Sequence, residues 1–270
     1  MVSGSEPPPA SGHRGTPAGA GDGTVLLVVA KAPVPGRVKT RLCPPAGPEQ
    51  AAWIAAAALL DTIEVVSAVP DVVPVLALEG ELSAAVGSGP IVEALDGWTV
   101  LAQRGRDLSE RLAAAHADAA DRYPGSAVLQ IGMDTPQVTV AMLTEALDRL
   151  GGGVPAVLGP AHDGGWWALG LCEPEHAEVL CGVPMSRSDT ADRTLAALHG
   201  RDLAVGILPS LSDVDNMADA VAVAAAVPDG RFAAAVRAVV APEVSTAPLG
   251  AVPTVPAADR PAAAPRLAAW

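Results

Sequence analysis

Apolar residues along this chain fall in short unbroken runs, separated by longer stretches of mixed polarity. Residues 24–30 (TVLLVVA) form a continuous aliphatic run, the pattern of a strand buried on both faces. Comparable runs at 72–78, 98–103, 127–132, 156–159, 166–171 and 203–209 predict further strands. Helices are expected between them. One covers about 49–68, and a second runs from Asp107 to about Arg122, with Glu110 at capping-box spacing from Asp107. A third, capped by Thr139, reaches Leu150, and a fourth, opened by Ser188 or Asp189, reaches about His199. Two closing helices are expected at Met217–Ala226 and Arg231–Val240. The alternation predicts a single α/β domain with a mostly parallel sheet and helices on both faces. In such sheets ligands bind outside the carboxyl ends of the strands, so the loops that follow the strands decide the chemistry.

Composition sets the limits of the domain and narrows its partners. Residues 1–23 and 241–270 are rich in Pro, Gly and Ala without periodicity, and are expected to be disordered tails around a domain at 24–240. Aromatic residues are few, so the core is expected to rest on Val, Leu, Ile and Ala. A formal net charge of −13 argues against nucleic acid and anionic membranes as partners. The three cysteines, Cys43, Cys172 and Cys181, lack metal-site spacing and read as reduced thiols. No apolar export segment opens the chain, and Asp61 and Glu64 interrupt its longest apolar stretch. A cytoplasmic location without membrane insertion is the expectation.

Four loops carry candidate chemistry. The first follows the first strand and holds both lysines of the chain, Lys31 and Lys39, with Gly36, Arg37 and Arg41. In a chain that otherwise uses Arg, this concentration suggests a phosphate clamp, Lys acting as a point charge and Arg as a planar fork. An exposed basic loop offsetting an acidic surface is the structural alternative, and the Walker A spacing is absent. The second loop is Gly132–Pro136, where Asp134 at a strand end suits a divalent cation, or simply a turn before a helix. The third contains His162, Asp163, Gly164, Gly165 and the pair Trp166–Trp167. Its glycines allow close backbone approach to a ligand, or a tight hairpin, and His162 reads as a surface residue. The fourth is Asp213–Asn216, from which Asp215 is expected to face the site and Asp213 to point away. Helix capping by Asp215 or Asn216 is the alternative there.

Five motifs in order resemble one family. They are Pro33–Leu42 (P-x-P-G-x-x-K-T-R-L), Asp107–Leu112, Gly132–Pro136, Gly159–Trp166 and Asp213–Asn216. The chain between about 24 and 227 thus resembles the GT-A-superfamily transferases associated with radical-SAM/selenodomain proteins, some of them arsenosugar-biosynthesis glycosyltransferases. It is also similar to 2-phospho-lactate guanylyltransferases. The resemblance implies a GT-A-type (Rossmann-like) nucleotide-binding domain in which Asp134 and Asp215 share Mg²⁺ or Mn²⁺ and Lys39 and Arg41 lie on phosphates. Gln137, and the run Met185-Ser186-Arg187-Ser188, depart from the family pattern in places expected near the acceptor. The expected function is a metal-dependent transferase that moves a sugar from a nucleotide-activated donor to a small acceptor. Lys31, Gly36, Arg37, Gly164 and Gly165 would help to bind the donor, Lys39 and Arg41 would assist the departing diphosphate, and Asp163 would be the general base. The alternatives are a nucleotidyltransferase releasing pyrophosphate and a non-catalytic sugar-nucleotide-binding module.

Overall fold

A computed structural model describes residues 23–240. The segments read as tails therefore lie outside the described residues, apart from Gly23. Seven strands form one sheet: β1 (Thr24–Lys31), β2 (Val72–Glu79), β3 (Thr99–Ala102), β4 (Val128–Gly132), β5 (Ala156–Pro160), β6 (Trp166–Leu171) and β7 (Val205–Ile207). Their spatial order is β3-β2-β1-β4-β6-β5-β7. All run parallel except β6, which pairs antiparallel with both β4 and β5. The reversal follows from the short loop 161–165, which allows only a hairpin.

The helices are α1 (Pro48–Ser67), α2 (Ser88–Ala94), α3 (Leu108–Arg122), α4 (Val140–Gly151), α5 (Thr190–His199), α6 (Met217–Ala226) and α7 (Arg231–Val240). Alternate residues of a strand point to opposite faces, and β1 divides its apolar run accordingly. Leu26 and Val28 join α1, α2 and α4 on one face. Val25 and Leu27 join Ala115 and Ala119 of α3 on the other. A 3-10 helix at Pro174–Gly182 and α5 continue that second face below β5 and β6. Helices α6 and α7 pack on the outer side of α1 through Ile54, Phe232 and Val236. By length and composition α1 could cross a membrane, yet 67% of its apolar window is buried within the fold, which marks it as the core helix.

The caps follow the sequence. Asp107 accepts the Glu110 N–H at the start of α3, Thr139 accepts the Met142 N–H at α4, and Asn216 caps α6. Glu110 itself reaches past the cap to the backbone and guanidinium of Arg106.

Candidate active site

The parallel strands deliver their loops to one edge of the sheet, and there a cleft of about 340 Å³ opens. Lys39 sits at its back. It takes a left-handed conformation with φ 48°, which turns the chain into a 3-10 turn at Thr40–Leu42. Its side chain is 9% exposed; the ammonium donates to the Val214 carbonyl and pairs with Asp134 Oδ1 at 2.7 Å. Arg41, well exposed, pairs with Asp215 Oδ2 at 2.7 Å. The Val214 N–H donates to the Asp134 carbonyl at 2.9 Å, so the loop after β4 and the segment before α6 are tied by backbone as well. Gln137 does not line the cleft; its amide donates to the Ser212 carbonyl and braces the same segment.

Facing this pair of loops, the β5–β6 hairpin brings in Asp163. Its Oδ1 accepts the Gly165 N–H at 2.7 Å, which orients the carboxylate. Asp163, Asp213 and Asp215 each offer a carboxylate oxygen, all within 4.8 Å of one another. Burial, followed by the charges of Asp163 and Asp215, pushes the Asp213 carboxyl up to about pKa 6. Burial is the larger part of that shift, and the repulsion of the two neighbouring carboxylates adds to it. Three oxygen donors of this kind suit a hard divalent cation such as Mg²⁺ or Mn²⁺.

The expectation that Asp213 points away is overturned. Positions two apart in an extended segment lie on the same side of the chain. Buried Val214 turns inward between them and leaves Asp213 and Asp215 together on the cleft. Asp134 also lines the cleft, but its partner is Lys39.

The remaining candidates divide. Gly165, Trp166 and Trp167 line the cleft, and the Trp167 indole N–H donates to the Pro209 carbonyl at 2.9 Å. Gly164 stands just behind, at φ 90°, its carbonyl accepting the Ala191 N–H. A Cβ there would lie 2.0 Å from the Ser188 carbonyl oxygen. Gly164→Ala is therefore expected to cost about 2 kcal/mol or more of stability, through backbone strain and the displaced 185–189 loop; a chemical denaturation curve matching wild type would contradict this. His162 is exposed and its Nδ1 meets Ser212 Oγ at 2.9 Å. Lys31, Gly36 and Arg37 do not line the cleft. Lys31 pairs with Glu79 at 3.1 Å and Arg111 joins it at 2.7 Å. Burial would raise the Glu79 carboxyl, but the hydrogen bonds from those two cations outweigh it and hold it below its ordinary range.

The opposite wall was invisible in the sequence as a site. It is built from Leu108 and Leu112 of α3, Val29 of β1 and the segment Met185–Ser188. Its floor holds two buried polar side chains, Gln130 and Thr135. Leu108 and Leu112 belong to the Asp107–Leu112 motif, Thr135 to Gly132–Pro136, and the 185–188 run to a departure from the family pattern, while Val29 and Gln130 carry no signal of their own in the sequence.

Known proteins agree with this architecture. A family profile described as uncharacterized protein conserved in bacteria (DUF2064) matches residues 62–187. It takes in Asp134 and Asp163 and leaves out Lys39, Arg41, Asp213 and Asp215. No curated protein matches. Among solved structures, a protein from Desulfovibrio desulfuricans G20, provisionally described as a nucleotide-diphospho-sugar transferase, superposes with TM-score 0.70 at 25% identity, covering 80% of this chain and 94% of its own. The 4-diphosphocytidyl-2C-methyl-D-erythritol synthase of Anaerococcus prevotii DSM 20548 superposes with TM-score 0.51 at 11% identity, covering 77% and 98%; that likeness is one of fold. The chain has the fold of the nucleotide-diphospho-sugar transferases, and a transferase is the class of protein that this fold and the relative at 25% identity define.

Proposed function

We propose that this protein transfers a sugar from a nucleotide-activated donor to a small acceptor, with a divalent cation held by Asp163, Asp213 and Asp215. The observation that carries the reading is the meeting of those three carboxylates, from two distant loops, at the strand ends beside Lys39 and Arg41. When bound, the cation would neutralise the charge that develops on a departing diphosphate. Arg41, exposed at the rim, can swing from Asp215 to a phosphate oxygen at small cost, since a surface ion pair is worth little. Lys39 is too well buried to swing; it holds the Asp134 and Val214 segments in place and presents its charge from behind. The likeness to the Desulfovibrio protein supports a nucleotide-sugar donor, and the five motifs support the radical-SAM-associated glycosyltransferase lineage suggested by the sequence.

Incubation with nucleotide sugars and, separately, with nucleoside triphosphates in Mn²⁺ tests this directly. Release of nucleoside diphosphate from the sugars is the expected result, and release of pyrophosphate from the triphosphates would assign nucleotidyl transfer instead. Asp163 could serve as ligand or as base, and Asp163→Asn separates the two duties. Loss of Mn²⁺-dependent nucleotide binding, by roughly tenfold or more as for a lost charge-assisted contact, is expected of a ligand. Binding intact with turnover lost would make Asp163 the base.

A further inference from the structure

The charged end of the cleft, where the aspartates meet Lys39 and Arg41, is the one already described. A further cation stands on the opposite wall. Arg187 lines the cleft from the segment that leads into α5, on the wall that also holds Leu108 and Met185. In an extended segment alternate residues turn away from a surface. Here four in succession, Met185 to Ser188, line the cleft. Ser186 breaks the alternation by taking a left-handed conformation, φ 57°, which residues other than glycine seldom keep unless their surroundings hold them there. The hold is Thr190, 3% exposed. Its Oγ1 accepts the Arg187 N–H at 3.1 Å and donates to the Pro184 carbonyl at 3.0 Å. Its own N–H donates to the Arg187 carbonyl at 3.1 Å. Both backbone polar groups of Arg187 are thus fixed by one buried residue, and the backbone that carries the guanidinium is set before any ligand arrives.

The guanidinium itself is little used. Its ion pair runs from Nε to Asp189 Oδ1 at 3.2 Å, and among the described residues Nη1 and Nη2 make no hydrogen bond. Asp189 does not line the cleft, and its other oxygen accepts from Arg193 at 2.7 Å. The other arginine of the cleft, Arg41, pairs instead with Asp215, inside it. The chain carries a net charge of −13, and Asp134, Asp163, Asp213 and Asp215 all line this cleft. An anion is repelled from such a place unless a cation is set out to receive it. A guanidinium on a fixed backbone, with its outer fork unoccupied, matches two oxygens of a carboxylate or a phosphate. We propose that Arg187 is a specificity-determining residue, whose guanidinium binds the carboxylate or phosphate of an anionic acceptor on the wall opposite the aspartates. The hydroxyls of Ser186 and Ser188, which line the same wall, can donate to that anion as well. The word acceptor rests on the transferase reading; the anion site does not.

The test uses the full chain and three probes on one carbon skeleton: glycerate, glycerol 3-phosphate and uncharged glycerol. Saturation-transfer NMR titrations are run with EDTA present, so that no divalent cation bridges an anion to the aspartates. Wild type is expected to bind at least one of the two anions about tenfold or more tighter than glycerol, on the scale of a charge-assisted hydrogen bond; which anion it prefers tells carboxylate from phosphate. In Arg187→Gln the preference should fall to within about twofold, with the melting temperature nearly unchanged, since the pair it loses is an exposed one. Arg41→Gln should keep the preference. Asp189→Asn, which frees the guanidinium and removes a competing carboxylate, should keep or strengthen it. Equal binding of the three probes by wild type overturns the proposal. So does a preference that survives in Arg187→Gln, one that is lost in Arg41→Gln or Asp189→Asn, or a marked fall in the melting temperature of Arg187→Gln, which would make the arginine structural. Mn²⁺-dependent binding of nucleoside diphosphates by the same wild-type protein is read separately. Its absence beside an intact anion preference would remove the transferase reading and leave the anion site standing.

Discussion

Changing Asp213 or Asp215 to Asn is expected to weaken Mn²⁺-dependent nucleotide binding by about 100-fold while leaving the fold intact. The three carboxylate oxygens lie within 4.8 Å of one another. At about 4 Å, two unit charges interact by roughly 4 kcal/mol when the effective dielectric constant is near 20. A cation that loses one of three carboxylates thus forfeits on the order of 3 kcal/mol, and each 1.4 kcal/mol is about tenfold. The same repulsion opposes folding when no cation is present, so Asp213→Asn should raise the melting temperature of the free protein by a few degrees. Asp215→Asn should gain less, because Arg41 loses its partner. Calorimetric titrations of nucleoside diphosphates with and without Mn²⁺, and scanning calorimetry without it, measure both. Undiminished Mn²⁺ enhancement in Asp213→Asn would remove that residue from the cation site.

Acid should destabilise the protein through His116. Its imidazole is wholly buried and its pKa is lowered from 6.5 to about 4, chiefly by burial. Between those values the unfolded chain binds a proton that the folded chain refuses, so stability is present above pH 6.5 and drains as pH falls toward 4. The full window corresponds to about 3 kcal/mol. Asp213 works in the opposite sense: its raised pKa means that the folded form takes up a proton first as pH falls through about 6, which adds stability. The His116 contribution is therefore read as a difference. Denaturation of wild type and His116→Leu from pH 7.5 to 4 should show the wild type losing about 3 kcal/mol relative to the variant. Parallel curves would mean that the imidazole gains solvent on protonation.

Much of the frame could be read from residue patterns. The doubly buried run at 24–30, the Asp107 and Thr139 caps and the two closing helices all form where expected, because each is a local signal. The elements that escaped have none. Helix α2 begins Ser-Gly-Pro after a glycine with φ 66°, which reads as loop. The 3-10 helix at Pro174–Gly182 has no sustained period. The antiparallel run of β6 is set by the shortness of one loop, while its buried sequence looks like that of its parallel neighbours. At the site, the charged end was legible because Lys39, Arg41, Asp163 and Asp215 are charges placed at strand ends. Asp213 belongs with them as well, because the alternation of an extended segment puts positions 213 and 215 on one side, contrary to the expectation that it points away.

The ties across the charged end have a consequence for how the molecule comes into being. Lys39 reaches Val214 across 175 positions of chain, and Arg41 reaches Asp215 across 174. Contacts of such separation close late, because loop entropy must be overcome before they return anything. The basic loop and β1 can be in place while the chain's last third is still loose, yet the proposed cation site would not form until residues 213–215 dock. Capture of Mn²⁺ at the proposed site during refolding would thus time the final closure of the domain, and a chain ending before residue 213 would keep all seven strands but lack two of the three carboxylates.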